Sequence, residues 1–235
     1  MRRIEMAGLH VSVAGGHDGE GGGDGPAVVL MHGFGAPGDN LVSLWRVLAS
    51  PPGTRWLFPA APLLLQSAPV EARAWWMLDR ERLLTLARHG GGDELVRQVP
   101  LGLSEARERV LALLDEVDQR LHPSKIVLGG FSQGAMLACD VALRTKHPVA
   151  GMVLLSGAPI AIDEWASVAP KRAGLPTFQS HGQTDSVLPF AYAETLRDLL
   201  RDAGLDVTWV PFPWGHEIPP SVADALGRWL LSVLA

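Results

Sequence analysis

The sequence predicts an α/β fold with a mainly parallel, twisted β-sheet and helices on both of its faces. Two observations carry this prediction: continuously apolar runs typical of strands covered on both faces, and amphipathic helical patterns that alternate with them. With 235 residues, of which 47% are hydrophobic and 19% charged, the chain can bury a sizeable core. We expect residues 1–235 to form a single domain.

The strand predictions rest on apolar or β-branched runs that end in glycine or in a turn. The three strongest runs are AVVLM, KIVL and GMVLL, at residues 27–31, 125–128 and 151–155. Weaker runs lie at residues 9–13, 55–58, 177–180 and 206–210. The lack of polar–apolar alternation in the strongest runs favours a parallel sheet.

The helix predictions rest on apolar residues that recur at spacings of three and four. Residues 104–121 show this pattern, with Ser104 as the expected N-cap and Glu105 suited to the positive end of the helix dipole. Similar patterns cover residues 133–144, 189–203 and 221–234.

Two segments interrupt the alternation of strands and helices. Residues 15–25 contain seven glycines and three acidic residues, but no second repeat of the kind that binds calcium, so we expect a flexible loop. Residues 62–102 form a long connection that carries Trp75 and Trp76. Connections of this length in compact domains are often binding elements.

The net charge of −5 gives no electrostatic case for binding nucleic acid or an anionic membrane surface. No apolar run approaches the ~18 residues of a spanning helix, and the first residues lack the apolar core of an export signal. We therefore expect a cytoplasmic protein without stable membrane association, and the sequence is compatible with a homodimer. The single cysteine, Cys139, falls on the core side of a helical pattern and is expected to be inert.

Gly130 to Gly134 read GFSQG and match G-x-S-x-G, directly after a predicted strand and directly before a predicted helix. This context predicts a nucleophile elbow, a sharp turn that holds Ser132 in a strained conformation. Glycines on both sides are needed because side chains there would collide with the neighbouring strand and helix. The N-terminus of the following helix directs backbone N–H groups at the reacting centre.

A serine nucleophile needs an adjacent base, and in this arrangement the partners follow in the order Ser, Asp or Glu, His. His216 follows the last predicted strand, where the carboxyl ends of parallel strands converge, so it is the expected base. His181 and His147 are the other histidines after Ser132. Asp185 is the expected acid, with Asp163 as the alternative. The acid orients and stabilises the imidazolium without accepting its proton.

Acyl transfer also needs hydrogen-bond donors for the developing oxyanion. We expect one from the backbone N–H of Gln133 and one from Phe34, in the loop MHGFG that follows the strand at 27–31. His32 is expected to brace this loop rather than to titrate.

Five blocks in the same order, over about 190 residues, resemble the phospholipase/carboxylesterase family of α/β hydrolases, which includes bacterial carboxylesterases and acyl-protein thioesterases. The blocks are LMHGFGAPGDN at 30–40, GGFSQGAMLA at 129–138, LSGAP at 155–159, HGQTDSVLP at 181–189 and GHEIP at 215–219. The sequence departs from the family pattern at Pro37, and residues 78–101 match nothing in it.

The resemblance implies an α/β-hydrolase fold without a large cap domain, and a small-molecule ester or thioester substrate with no cofactor and no metal. It assigns the triad to Ser132, Asp185 and His216 and the oxyanion hole to Phe34 and Gln133. It also suggests that Trp75 or Trp76 lines an acyl pocket, although an aromatic pair that only packs on the core is the alternative.

The predicted reaction is hydrolysis of short to medium acyl esters or thioesters through an acyl-enzyme. The same machinery acting on a lysophospholipid or a small amide or peptide is an alternative. A binding protein that kept the fold and lost activity is a third interpretation, since fold alone does not establish function. The presence of all three candidate triad residues argues against it.

Overall fold

A computed structural model describes residues 1–66, 71–78 and 92–235. Within these residues the main sheet has nine strands in the order β1-β2-β5-β4-β8-β9-β10-β11, with β3 beside β2. The strands are β1 Arg2–Met6, β2 Leu9–Gly16, β3 Glu20–Gly22, β4 Ala27–Met31, β5 Arg55–Pro59, β8 Ile126–Phe131, β9 Val149–Leu155, β10 Pro176–Gly182 and β11 Asp206–Phe212. The strands from β5 to β11 run parallel, whereas β2 pairs antiparallel with β1 and β5. A separate two-stranded ribbon joins β6 Leu63–Leu64 to β7 Arg73–Ala74.

The helices cover both faces of this sheet. They are α1 Leu44–Val47, α2 Gly92–Arg97, α3 Leu103–Leu121, α4 Gln133–Arg144, α5 Ile162–Val168, α6 Phe190–Asp202 and α7 Pro220–Leu234, with a 3₁₀ turn at Ala169–Arg172. In β4, Val29 and Met31 pack in the same core as α3 and α4, while Val28 and Leu30 pack in the core that contains α7. Burial on both faces explains why this strand lacks polar–apolar alternation. The predicted fold class is confirmed.

Most predicted elements lie where the sequence places them, with ends that shift by one to three residues. The start of α3 differs from the prediction. The helix begins at Leu103, and Gly102 before it has the left-handed conformation (φ 90°). Ser104 is therefore not the N-cap, and its hydroxyl accepts a hydrogen bond from Arg107 instead (3.1 Å). The glycine lets the chain enter the helix two residues earlier than an N-cap at Ser104 predicts.

The glycine-rich segment is also more ordered than expected. It contains β3, and the Asp18 carboxylate accepts hydrogen bonds from the N–H groups of Glu20 (2.7 Å) and Gly22 (2.9 Å). The buried Arg55 guanidinium donates to the carbonyls of Gly23 (2.8 Å) and Gly25 (2.6 Å). The prediction of a loop is wrong for Glu20–Gly22, which forms β3, and these bonds fold the segment back onto the sheet.

Because the strands are parallel, their carboxyl ends lie along one side of the sheet. The segments that follow β4, β8, β10 and β11 therefore lie along this side. In the described part of the chain, no helix is long and apolar enough to cross a membrane.

Candidate active site

Ser132 lies between the end of β8 and the start of α4, with φ 55° and ψ −119°. A positive φ is unfavourable for a residue with a side chain, so this conformation requires support from its surroundings. The Ser132 N–H donates to the Leu155 carbonyl (2.8 Å), and the Ser132 carbonyl accepts from the N–H groups of Ala135 (2.9 Å) and Met136 (3.1 Å). The turn therefore holds Ser132 from both sides.

The two glycines of G-x-S-x-G are required by close backbone contacts. A Cβ atom on Gly130 would lie 2.4 Å from the Gly134 carbonyl. A Cβ atom on Gly134 would lie 2.2 Å from the carbonyl oxygen of Met31 at the end of β4. Both distances are shorter than non-bonded contacts allow, so only glycine lets β8 and α4 approach β4 this closely.

The structure brings Ser132, His216 and Asp185 into one hydrogen-bonded line. The Ser132 Oγ lies 2.9 Å from Nε2 of His216, and Nδ1 of His216 lies 2.6 Å from Oδ2 of Asp185. An ionised carboxylate only accepts hydrogen bonds, so Nδ1 carries the proton and Nε2 presents its lone pair to the hydroxyl. The His216 ring also packs against the Phe131 ring, with centroids 4.8 Å apart.

Asp185 is held by hydrogen bonds on both carboxylate oxygens. Oδ1 accepts from the N–H groups of Val187 and Leu188 (both 2.8 Å), and Oδ2 lies 3.3 Å from Nε2 of His181 in addition to its bond with His216. Burial alone would raise the pKa of Asp185, but the hydrogen bonds from His181, His216 and Leu188 outweigh burial and hold this pKa well below its ordinary value. The carboxylate is therefore charged at neutral pH.

The alternative residues lie elsewhere. His181 is buried beside Asp185, and its Nε2 donates to the Leu188 carbonyl (2.9 Å) rather than contacting Ser132. His147 pairs with Asp115 (2.9 Å), and Asp163 is an exposed residue of α5 paired with Arg97. Neither lies in the hydrogen-bonded line of Ser132.

Of the two expected oxyanion donors, Gln133 directly follows Ser132, and Phe34 belongs to the loop after β4. The Gly33 carbonyl, in the same planar peptide as the Phe34 N–H, accepts from Nδ1 of His32 (2.8 Å). A Cβ atom on Gly33 would lie 3.1 Å from Cβ of Ser132, so this loop passes directly beside the serine. Neither N–H has a hydrogen-bond partner among the described residues. Their role as oxyanion donors stays a prediction.

His32 braces the loop, as its place in the sequence predicts. Its Nε2 accepts from the Ala61 N–H (2.9 Å), which leaves the proton on Nδ1 for the bond to Gly33. Burial lowers the pKa of His32, so the ring is neutral near pH 7.

The two tryptophans have different environments. Trp76 lines a cavity of about 430 Å³, together with apolar residues that include Met136, Ile160 and Leu188. Trp75 does not line this cavity; its indole N–H donates to the His32 carbonyl (3.0 Å), and its side chain is buried. Of the two candidates, Trp76 is the one that lines this cavity, whereas Trp75 has the buried environment expected of an aromatic residue that packs on the core.

The sequence does not predict the contacts of the Gln133 side chain, because it indicates a role only for the backbone N–H of this residue. Its side chain is buried, with Oε1 accepting from the Trp75 N–H (3.0 Å) and Nε2 donating to the Trp76 carbonyl (2.8 Å). The residues that bond are 57 and 58 positions apart, so no local pattern signals this contact. Of the unmatched segment at 78–101, residues 79–91 lie outside the described part of the chain, while Val96 and Leu101 line the cavity.

Known proteins resemble this chain over most of its length. A model of the phospholipase/carboxylesterase family matches residues 22–230. Acyl-protein thioesterase 1 of Aspergillus fumigatus is 28% identical over 215 residues, which cover 88% of this chain and 87% of the relative. Acyl-protein thioesterase 1 of Eremothecium gossypii is 32% identical over 205 residues, 84% of this chain and 83% of the relative.

A crystal structure of esterase PE8 superposes with a TM-score of 0.79 at 28% identity, over 96% of this chain and 99% of that chain. The resemblance inferred from the five sequence blocks is confirmed by the family model. The chain belongs to the phospholipase/carboxylesterase family of α/β hydrolases.

Proposed function

We propose that this protein is a serine carboxylesterase that hydrolyses short to medium acyl esters or thioesters through an acyl-enzyme on Ser132. The observation that carries the proposal is the hydrogen-bonded line from Ser132 Oγ through His216 to Asp185, with spacings of 2.9 and 2.6 Å. These are the spacings that a serine, its general base and the base's orienting acid require.

In the first half of the reaction, Nε2 of His216 takes the hydroxyl proton as Ser132 Oγ attacks the acyl carbonyl carbon. The carbonyl π electrons move to oxygen, and the Gln133 and Phe34 N–H groups stabilise the resulting oxyanion. When the tetrahedral intermediate collapses, the bond to the alcohol or thiol breaks and His216 returns the proton to this leaving group.

In the second half, His216 removes a proton from water, and the hydroxide formed attacks the acyl-enzyme carbonyl. Collapse of this intermediate releases the carboxylic acid and returns the proton to Ser132. Asp185 stays ionised throughout and stabilises the imidazolium, which agrees with the low pKa of its carboxyl group. Besides the substrate, the two halves together consume one water molecule, whose oxygen and one proton end in the carboxylic acid.

The cavity supports an apolar acyl group as the substrate portion nearest the site. Its wall includes Met136, one turn into α4 from Ser132, and Leu188, whose N–H bonds to Asp185. The cavity is therefore adjacent to the hydrogen-bonded line, and apolar walls favour burial of an alkyl chain.

Replacing the nucleophile tests the proposal. We expect Ser132→Ala to remove nearly all turnover of p-nitrophenyl acetate and butyrate and to abolish labelling by a fluorophosphonate probe. The matched control is Ser167→Ala, an exposed serine of α5, which should keep wild-type turnover and labelling. Turnover retained by purified, folded Ser132→Ala protein would contradict the proposal.

A substrate panel then decides the bond and the chain length. Specificity constants for oxygen esters, thioesters, lysophospholipids and amides of matched acyl length separate the proposed activity from its alternatives. We also propose a cytoplasmic location, because a chain with a single cysteine forms no internal disulfide and does not depend on an oxidising compartment. A homodimer stays a prediction that sedimentation tests.

A further inference from the structure

The side chains of Trp75 and Gln133 connect the two segments that carry the expected oxyanion donors. We propose that Trp75 and Gln133 are positioning residues for oxyanion stabilisation: their side-chain hydrogen bonds fix the Phe34 loop relative to the turn that holds Ser132. This inference rests on the function proposed above and assigns Trp75 a role other than lining the acyl pocket.

The first connection starts from Gln133, directly after Ser132. Its carboxamide oxygen accepts from the backbone N–H of Trp75 (3.0 Å), and its NH₂ group donates to the backbone carbonyl of Trp76 (2.8 Å). These two bonds use both ends of the amide, so the side chain has one favoured orientation. With 1% of Gln133 exposed, water cannot replace either bond. The chain at residues 75–76 is therefore tied to the start of α4.

The second connection runs from Trp75 to the loop after β4. The indole N–H donates to the His32 carbonyl (3.0 Å), and the Trp75 and His32 rings lie 5.6 Å apart between centroids. His32 in turn donates to the Gly33 carbonyl (2.8 Å), whose peptide carries the Phe34 N–H. Because a peptide group is planar, a fixed carbonyl also fixes the direction of the N–H opposite to it.

The third connection holds the other side of Phe34. The Gly35 N–H donates to the Arg73 carbonyl (2.8 Å), and the Arg73 N–H donates to the Ala36 carbonyl (3.0 Å). Residues 73–76 thus contact the loop before and after Phe34 and reach the Ser132 turn through Gln133. The result is a closed set of hydrogen bonds with both expected donors on it.

Such a set matters because oxyanion donors act through preorganisation. A donor that must reorient during the reaction loses most of its effect, and losing one donor typically lowers kcat by about 10²- to 10³-fold. Misplacement by about 1 Å is enough for a large loss. A role in the acyl pocket would instead change which chain lengths are accepted.

The adjacent tryptophans allow a matched experiment. Trp75→Phe keeps a ring and removes the indole N–H, and Trp76→Phe makes the same change in a residue that lines the cavity and whose N–H has no partner among the described residues. For each variant, kcat and KM are measured on p-nitrophenyl acetate, butyrate and octanoate. Circular dichroism at the assay temperature gives the folded fraction, to which kcat is normalised.

We expect Trp75→Phe to lower kcat by about 10- to 100-fold on all three esters, with little change in KM and the same chain-length preference. Trp76→Phe should instead change the chain-length preference. Gln133→Met keeps the length of the side chain, removes the carboxamide and should reproduce the effect of Trp75→Phe. If Trp75→Phe does not fold, Gln133→Met provides the test.

A wild-type kcat in folded Trp75→Phe, or a loss confined to the longer esters, would overturn the inference. If Gln133→Met alone is folded, a wild-type kcat in that variant overturns it. These outcomes are distinct from failure of the proposed function, which shows as turnover by Ser132→Ala. With Ser132→Ala inactive and Trp75→Phe fully active, the proposed function stands and only the positioning role is lost.

Discussion

Asp185 receives hydrogen bonds from two backbone N–H groups and contacts two imidazole rings, although its side chain has no exposed surface. The cost of burying the charge is offset by these donors, all of which come from the chain segments at 181–188 and 216. Removing the charge should therefore affect both the reaction and the acid stability of the fold.

For activity, we expect Asp185→Asn to lower kcat by about 10⁴-fold, because the amide no longer selects the His216 tautomer that accepts from Ser132. Steady-state kinetics on p-nitrophenyl acetate measure this loss. Asp163→Asn, at the exposed alternative acid, is the control and should keep wild-type kcat. Equal losses in the two variants would contradict the assignment of Asp185.

For stability, the sign follows from the low pKa of folded Asp185. Its carboxyl group has an ordinary pKa of 3.8 and a lower one in the fold, so its stabilising effect is present above about pH 4 and is lost as the pH falls below it. The Asn side chain does not titrate. We expect the Tm difference between wild type and Asp185→Asn to be largest near neutral pH and to shrink below about pH 4. A difference that does not vary with pH would be inconsistent with this account.

At the scale of elements, the approach of α4 to β4 depends on Gly134. Alanine is a better helix former than glycine by about 1 kcal/mol, but its Cβ would lie 2.2 Å from the Met31 carbonyl oxygen. We expect the collision to outweigh the helix propensity, so that Gly134→Ala lowers the free energy of unfolding by about 3 kcal/mol. Urea denaturation measures the change.

The matched control for this substitution is Gly174→Ala. Gly174 also stands where the backbone favours glycine, with φ 81°, but a Cβ atom there would meet nothing within 4 Å. Its cost should be limited to about 1–2 kcal/mol of backbone strain. A Gly134→Ala variant no less stable than Gly174→Ala would show that α4 can move away from β4 at little cost.

At the scale of the whole molecule, burial is greatest in the middle of the sheet. Every residue of β4 is buried, whereas β1 has three exposed residues and lies at the edge, and β11 at the opposite edge is largely exposed or half-buried. We expect amides of β4 and β8 to exchange most slowly with solvent and those of β1 much faster, because edge strands open locally. Hydrogen–deuterium exchange by mass spectrometry tests this, and equal protection of β1 and β4 would contradict it.

The difference in burial between central and edge strands explains which parts of the fold the sequence predicts. The strand at 27–31 and the helix at 133–144 have the predicted bounds, because burial on both strand faces and the G-x-S-x-G turn leave clear patterns. β1 has the sequence RRIEM, which has no apolar run and forms a strand through its antiparallel pairing with β2. The seven-residue α5 depends on Trp165, whose indole donates to the buried Asp140 of α4 (2.8 Å).

The candidate site also has parts that the sequence predicts and parts that it does not. A local motif and the order of the strands predict three residues of the site, which are Ser132, Asp185 and His216. The bonds between Gln133 and the Trp75–Trp76 backbone join distant segments, and the sequence therefore offers only a tryptophan pair with two competing interpretations.

The placement of Ser132 after β8 and of His216 after β11 has a consequence for synthesis. The two residues are 84 positions apart, so a ribosome that adds ~5–20 residues per second makes the base roughly 4–17 seconds after the nucleophile. During that interval the nascent chain carries Ser132 without His216, the histidine whose ring contacts the serine hydroxyl in the folded protein. A chain that ends before residue 216 therefore lacks the base that the proposed mechanism requires.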